Sequence, residues 1–217
     1  MTIKEHFLRF IEKFIRQCRK PTGRFGKFVG RIMNLGHARI RQWGMNHISI
    51  KPDAYILDIG CGGGKGVHEL AMYSPNGKVY GIDYSEDMVQ LSKTVNHALI
   101  KKGIVEVTHG NVSSLPFADN MFDIVTAFES YYFWPDLNGD LKEIKRVLKP
   151  GGTLLIVNEA YKDDKFEKRN SKWAELIDMQ LHSPKEYNDF LLKAGYHIVK
   201  VNNIPQKNWI TAVAQKK

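Results

Sequence analysis

The stretch ILDIGCGGGKG, residues 56–66, runs from an apolar strand into a glycine-rich turn and then into a helix. At the carboxyl edge of a parallel sheet, such a turn lets the backbone approach a ligand closely, and the helix start offers free N–H groups. Asp58 stands two residues before the first of three alternating glycines, Gly60, Gly62 and Gly64. A carboxylate there repels a pyrophosphate and attracts a cation. The loop therefore predicts a nucleotide-like ligand, other than a dinucleotide, that carries positive charge.

A second acid follows at the end of the next apolar strand, KVYGID. Asp83 stands 23 residues beyond Gly60. A carboxylate at the tip of the adjacent strand is placed to accept hydrogen bonds from both hydroxyls of a ribose. Lys65 is followed by Gly66, so the Gly-Lys-Ser/Thr of a phosphate-binding P-loop is absent.

Short apolar strands alternate with helical segments after Pro52. Strands are predicted at residues 55–59, 78–82, 105–109, 124–128, 153–158, 196–201 and 209–214, and helices at 66–73, 86–99 and 137–148. Strands without polar alternation are typical of parallel sheets that are buried on both faces. The pattern predicts an α/β fold with a Rossmann-like, seven-stranded, mostly parallel sheet between helices and with an antiparallel last strand.

Charge divides the chain into two parts. Of 217 residues, 43% are hydrophobic and 25% charged, which is typical of a globular protein and not of a disordered chain or a collagen-like fibre. The net charge is +9, but residues 1–51 hold 12 basic and 2 acidic side chains, and the remainder holds 20 and 21. We therefore predict a basic, helical N-terminal cap or lid at residues 1–50 and a main domain at residues 51–217.

Two helices are predicted in the cap. Residues 3–18 carry apolar side chains at helical spacing with cations between them, and residues 33–47 form a second helical stretch. Pro21, Gly23, Gly26 and Gly30 are expected to interrupt regular structure between these two helices.

Cysteine and hydropathy patterns bear on location. Cys18 and Cys61 lie outside any CxxC or paired-histidine spacing, so no metal site and no disulfide framework is predicted. No apolar run approaches the ~18 residues of a membrane span. We expect a cytoplasmic protein.

Five segments, in order, resemble the motifs of class I S-adenosylmethionine-dependent methyltransferases. They are residues 58–64, Asp83 within GIDYSEDMV, HGNVSSLPF, FDIVTAFES and LKEIKRVLKPGGTLLI. The chain is most similar to the small-molecule subgroup related to ubiquinone and menaquinone biosynthesis methyltransferases. This resemblance implies an enzyme that uses S-adenosyl-L-methionine, leaves S-adenosyl-L-homocysteine and methylates a small, partly apolar acceptor.

The resemblance assigns the glycine loop to the amino acid end of the cofactor. Asp58 would attract its ammonium group, and the backbone of Gly60, Cys61, Gly62 and Gly64 would surround it.

The same resemblance assigns the nucleoside end. Asp83 would accept the ribose hydroxyls, Tyr84 and Met88 would flank the adenine ring, and Asn111 with the Val112 amide would meet the adenine edge. Many family members carry Asp where this chain has Asn111, whose amide oxygen can still accept a hydrogen bond.

The acceptor side is predicted from the segment FESYYFWPD, which follows the fourth strand. Glu129 is expected beside the methyl group, where it contacts the cofactor and can accept a proton from the acceptor or hold a cationic acceptor. Tyr131, Tyr132 and Trp134 are predicted to bind the substrate, whereas Phe133 is assigned to the core.

His37 is the second catalytic candidate. If the cap covers the carboxyl edge of the sheet, His37 reaches the cofactor and can act as a base or as a cofactor contact. The alternative is a packed or hydrogen-bonded histidine on a helix surface.

Other functions remain open from the sequence. The basic cap can grip RNA, which makes an RNA methyltransferase an alternative, although nucleic acid is not the favoured partner. The first helix can instead lie on a membrane and serve a lipid or quinone methyltransferase. A cofactor-binding sensor without activity is a further alternative, and both a monomer and a homodimer are compatible with the sequence.

Overall fold

The computed structural model describes residues 3–217, with the side chains of residues 3–5, 7 and 8 outside the description. Its helices are α1 (Ile3–Arg19), α2 (Gly23–Gly36), α3 (Ala38–Met45), α4 (Lys65–Tyr73), α5 (Glu86–Val95), α6 (His97–Lys101), α7 (Leu137–Val147), α8 (Glu167–Ile177) and α9 (Pro184–Lys193). Its strands are β1 (Tyr55–Ile59), β2 (Lys78–Asp83), β3 (Val105–His109), β4 (Phe122–Phe128), β5 (Leu148–Asn158), β6 (Tyr196–Ile204) and β7 (Trp209–Lys216).

The strands form one sheet in the order β3-β2-β1-β4-β5-β7-β6. β1 to β5 are parallel, and β7 lies antiparallel between β5 and β6. The predicted Rossmann-like sheet with an antiparallel last strand is confirmed. The strand order reverses between β1 and β4, which opens a crevice at their carboxyl ends.

Apolar side chains cover both faces of the sheet. The neighbours Ile56 and Leu57 in β1 are both fully buried and belong to different clusters. Leu57 packs in a cluster with Leu141 of α7, and Ile56 in a cluster with Val67 of α4. Because successive side chains of a strand point to opposite faces, a strand covered on both sides reads as a continuous apolar run.

The N-terminal region differs from the sequence prediction at its glycines. The expected interruption is confirmed at Pro21, which lies between α1 and α2, and is wrong at Gly26 and Gly30, which lie inside α2. Gly30 permits close packing, because a Cβ atom there would lie 2.8 Å from the sulfur of Met88 on α5. The predicted second helix is instead divided at His37, where α2 ends and α3 begins.

Specific contacts attach these helices to the sheet domain. Arg19 at the end of α1 forms an ion pair with Asp178 at 2.8 Å, and Ser85 donates a hydrogen bond to the carbonyl oxygen of Pro21 at 2.6 Å. Gly44 of α3 lies directly on β5, where an added Cβ would lie 2.3 Å from a methyl group of Val157. The N-terminal helices therefore lie against the carboxyl half of the sheet.

None of the helices in the described part of the chain is both long enough and apolar enough to span a membrane.

Candidate active site

A cavity of about 500 Å³ lies at the crevice between β1 and β4. This volume is within the range of small-molecule sites. The sequence-predicted residues that line it are His37, Asp58, Gly60, Cys61, Gly62, Asp83, Tyr84, Met88, Asn111, Val112, Glu129 and Trp134. The sheet edge and the N-terminal helices thus bring together most of the predicted site.

The glycine loop adopts backbone angles that favour glycine. Gly60, Gly62 and Gly64 have φ of 70°, 50° and 82°. The N–H of Gly62 donates to the Asp83 carboxylate at 2.8 Å, which links the loop to the end of β2. Gly64 lies outside the cavity lining: a Cβ there would lie 2.3 Å from Ser92 Oγ. Gly64 therefore allows the close packing of α4 on α5, and its expected contact with the cofactor stays a prediction.

Two buried carboxyl groups face the cavity. Burial raises the pKa of Asp58 to about 7, against a hydrogen bond from Thr126 at 2.7 Å and the positive charge of Arg41. Burial also raises the pKa of Asp83, against hydrogen bonds from the N–H groups of Ser85 and Gly62. Both groups lose hydration without gaining a fully compensating cation, so a bound cation would stabilise their ionised forms.

Arg41 is a functional candidate that the sequence analysis missed. Its buried guanidinium lines the cavity, donates to both carboxylate oxygens of Glu69 at 2.9 and 3.0 Å and donates to the Asn34 carbonyl oxygen at 2.9 Å. Asn34 in turn donates to the Gly63 carbonyl oxygen at 3.0 Å. α2 and α3 are therefore joined to the glycine loop by a buried polar network. Nothing in the local sequence distinguishes Arg41 from the other cations of this region.

The predicted adenine side combines packing with attachment of the N-terminal helices. Met88 is almost fully buried, against α2. The Tyr84 hydroxyl donates to the carbonyl oxygen of Arg19, so this ring both lines the cavity and holds the end of α1. The Asn111 amide oxygen accepts from the Ser113 N–H at 3.0 Å.

His37 and Glu129, which both line the cavity, form a cluster with Glu159. One ligand-type atom from each lies within 4.8 Å of the other two, and His37 Nε2 lies 3.5 Å from a Glu159 oxygen. Glu129 follows β4 with a left-handed φ of 56°, and its Oε2 accepts from the Tyr132 hydroxyl at 2.6 Å. Its Oε1 is buried, and within the described residues it has no hydrogen-bond partner.

The pKa values of Glu129 and His37 in this cluster are both shifted from their usual values. Burial raises the pKa of Glu129 to about 7, although the positive charge of His37 opposes the shift. Burial lowers the pKa of His37, but the hydrogen bond to Glu159 and the charges of both carboxylates outweigh burial, so the net pKa is raised. At neutral pH the group can therefore take up or release a proton. Glu159 was missed by the sequence analysis, although its place just after β5 matches that of Glu129 after β4.

The aromatic segment after β4 differs from its prediction. Phe133 and Trp134 line the cavity, but Tyr131 and Tyr132 do not. Tyr131 is buried and stacks on Tyr187 with ring centroids 4.6 Å apart, and Tyr132 points its hydroxyl at Glu129. A short 3₁₀ turn at Tyr131–Phe133 rotates the side chains in a way that the sequence does not show.

Comparisons with known proteins agree with this geometry. Residues 57–156 match a family model described as a methyltransferase domain. The match covers a little under half of the chain, and over this segment the chain is similar to a methyltransferase domain.

Relatives of this chain include a demethylmenaquinone methyltransferase of Bacillus mycoides. It is 40% identical over 122 residues, which are 56% of this chain and 51% of that protein. The chain thus spans about half the length of the curated relatives it matches.

Solved structures share the fold. A SAM-dependent methyltransferase from Aquifex aeolicus matches with a TM-score of 0.70 and 21% identity over 95% of this chain and 98% of that chain. Phosphoethanolamine N-methyltransferase 2 of Haemonchus contortus, in complex with phosphomonomethylethanolamine and S-adenosylhomocysteine, matches with a TM-score of 0.71 and 19% identity over 85% of this chain and 52% of that chain.

The charges lining the cavity fit S-adenosylmethionine, which carries an ammonium group, a sulfonium group and a carboxylate. Asp58, Asp83 and Glu129 supply carboxyl groups, and the Oε1 atom of Glu129 is buried with no hydrogen-bond partner among the described residues. Arg41 and His37 supply the positive charge that a carboxylate requires. The donor set therefore suits a ligand with both signs of charge.

Proposed function

We propose that this chain transfers a methyl group from S-adenosylmethionine to a small, partly apolar acceptor of the quinone type. One observation carries the proposal: the buried, partly unpartnered carboxyl group of Glu129 lines the same cavity as Asp58 and Asp83. The relationship to demethylmenaquinone methyltransferases supports the acceptor class.

The cofactor half of the cavity is assigned by charge. Asp58 binds the ammonium group, Asp83 accepts the ribose hydroxyls, and Met88 and Tyr84 flank the adenine. Arg41, already held in place by Glu69, faces the cofactor carboxylate. When bound, S-adenosylmethionine supplies a methyl group on a positively charged sulfur and is left as S-adenosylhomocysteine.

Glu129 handles the proton of the acceptor. A carboxyl group with a pKa near neutrality is suited to accept a proton from an acceptor hydroxyl at physiological pH. The Tyr132 hydroxyl orients Glu129 through Oε2 and leaves Oε1 for the acceptor. His37, paired with Glu159, stabilises the ionised form of Glu129 through its positive charge.

Apolar groups complete the acceptor half. Met33 of α2, Phe133 and Trp134 line it and can exclude water from the reacting atoms. Cys18 lines the same region, and burial raises the pKa of its thiol to about 11, so it remains neutral. An aromatic quinol can pack between such side chains.

The test is release of S-adenosylhomocysteine by the full chain with demethylated quinols as acceptors. We expect turnover with a quinol, a loss of about hundredfold or more in Glu129→Gln and a marked loss in His37→Ala. Cofactor affinity should stay within about tenfold in both variants, because the cofactor is bound mainly by the other half of the cavity.

Matched controls are available on the surface. Glu175→Gln and His97→Ala remove the same side-chain types at exposed positions and should leave turnover unchanged. Full turnover in both Glu129→Gln and His37→Ala would remove the cluster from the mechanism. Turnover with another acceptor class and none with quinols would overturn the acceptor assignment.

A further inference from the structure

α2 has two apolar sides, and the side chains that the structure describes cover only one of them. Its inner side carries Val29 and Met33, toward the core and the cavity. Its outer side carries Phe28, Ile32 and Leu35 at helical spacing, with exposed fractions of 51%, 41% and 78%. A helix that is apolar on opposite sides is expected to be covered on both. The outer side therefore lacks a partner within the described part of the chain.

α1 extends this surface. Phe10 is 52% exposed, and its ring meets the edge of Phe25 with centroids 6.0 Å apart. Phe25 in turn stacks on Phe28 at 6.4 Å. We refer to Phe10, Phe25, Phe28, Ile32 and Leu35 as the outer apolar face. The outer apolar face is formed by residues of two helices, α1 and α2.

Positive charge surrounds the outer apolar face. No acidic residue occurs between residues 13 and 50. Arg24 and Arg31 are exposed beside the face, and within the described residues neither forms an ion pair. The Lys13 ammonium lies 5.4 Å from the centre of the Phe25 ring. By contrast, Lys27, on another side of α2, is paired with Asp87 at 3.2 Å.

We propose that the outer apolar face docks on an anionic lipid bilayer. Phenylalanine, isoleucine and leucine side chains flanked by arginine and lysine on a helix surface match the interfacial region of a bilayer, where apolar groups enter the acyl boundary and cations meet the headgroups. Both features of the face, its apolar area and its unpaired charge, are then satisfied by one partner.

A second copy of the chain and an RNA molecule would each match only one of these two features of the outer apolar face. A second copy of the chain, placed face to face, would bring Arg24 and Arg31 against the same cations of its partner, which is repulsive. RNA would satisfy the cations and stack on Phe28, but it offers nothing to the aliphatic side chains of Ile32 and Leu35.

Docking would also position the cavity. Met33 and Asn34 line the cavity from the same helix that carries the outer apolar face. The membrane would therefore lie next to α2, which covers the cavity. An apolar molecule dissolved in the bilayer would have a short path into the cavity. Binding to the bilayer itself does not depend on the methyl transfer proposed above.

Vesicle flotation of the full chain tests the proposal. We expect binding to vesicles of phosphatidylcholine with phosphatidylglycerol, at least about tenfold tighter than to phosphatidylcholine alone and weakened by salt. Phe28→Ser combined with Leu35→Ser should weaken binding by about tenfold or more. The matched control, Met72→Ser with Leu192→Ser, removes side chains of similar exposure from α4 and α9 and should not.

The charged residues are tested in parallel. Arg24→Ser with Arg31→Ser should lower affinity for the anionic vesicles by more than about tenfold, whereas Lys101→Ser with Lys102→Ser on the exposed end of α6 should have little effect. All these positions are exposed, so circular dichroism and thermal unfolding should match the parent chain.

Three outcomes would overturn the proposal. The first is no preference of the parent chain for anionic vesicles. The second is an equal loss of binding in the control variants. The third is a dimer or an RNA complex, seen by sedimentation, that Phe28→Ser with Leu35→Ser dissociates while vesicle binding is absent.

Discussion

Protonation of Asp58 should control the affinity of the site for S-adenosylhomocysteine. This ligand keeps the ammonium group, but its sulfur is uncharged, so it reports on the Asp58 end of the cavity and not on charge at Glu129. The perturbation is a change of pH from about 7.5 to about 5.5, across the pKa of Asp58 near 7. Acidification neutralises the carboxylate and removes its attraction for the ammonium group.

The magnitude follows from the raised pKa. With a pKa of about 7, Asp58 is roughly three-quarters ionised at pH 7.5 and roughly 3% ionised at pH 5.5. Contact with the ammonium group lowers the pKa of Asp58 in the complex, so the ligand binds the ionised form. Affinity should therefore fall about 25-fold over this range, and the loss should begin near pH 7 instead of near pH 4.

Isothermal titration calorimetry at several pH values measures this change. Asp58→Asn should bind weakly at every pH and show a much flatter profile. Glu129→Gln and His37→Ala remove two other groups of the cavity whose pKa values are raised, and both variants should keep the slope of the parent chain. A change of less than about threefold in the parent chain, or an unchanged slope in Asp58→Asn, would refute the reasoning.

Further predictions concern stability. Gly64→Ala forces a left-handed φ on alanine and places its Cβ 2.7 Å from the backbone of α5, so the free energy of unfolding in urea should fall by about 3 kcal/mol. Gly62→Ala has the same strain but open space around the added Cβ, so the free energy of unfolding should fall by only about 1 kcal/mol. Glu69→Ala leaves the buried Arg41 charge without its carboxylate and should cost about 3 kcal/mol in the same assay; Arg41→Met with Glu69→Ala should cost less than the two single changes added together. Asp178→Asn removes an exposed ion pair and keeps a side chain that tolerates the left-handed φ of 54° at this position, so it should cost less than about 1 kcal/mol. Equal losses for Gly64→Ala and Gly62→Ala, or for Glu69→Ala and Asp178→Asn, would contradict these assignments.

Elements with strong local signals were predicted well. The run at Tyr55–Ile59 is apolar because both faces of the central strand are covered, and this pattern predicts a parallel sheet without tertiary information. The N-terminal helices were harder, because Gly26 and Gly30 normally weaken a helix. Here Gly26 lets α2 approach the neighbouring Pro21 closely, and Gly30 lets it approach Met88, a packing partner far along the chain.

The predicted site divides in the same way. Asp58 and Asp83 stand at strand ends, and the position of a residue in a parallel sheet is sufficient to bring such groups to one edge. Tyr131, Tyr132 and Phe133 are neighbours in a short turn, and which ring faces the cavity depends on a rotation that no residue pattern encodes. The roles of Asp58 and Asp83 at the cofactor, and of the aromatic side chains at the substrate, stay predictions.

The glycine loop, the two acids and the alternation of strands and helices are local or periodic features, so the amino-acid sequence alone was enough to predict the fold and to place Asp58 and Asp83 at one edge of the sheet. The buried network of Arg41, the pairing of His37 with Glu159 and the uncovered outer apolar face join residues from separate elements. Only tertiary structure decides these, because burial and charge pairing depend on which side of each helix meets the sheet.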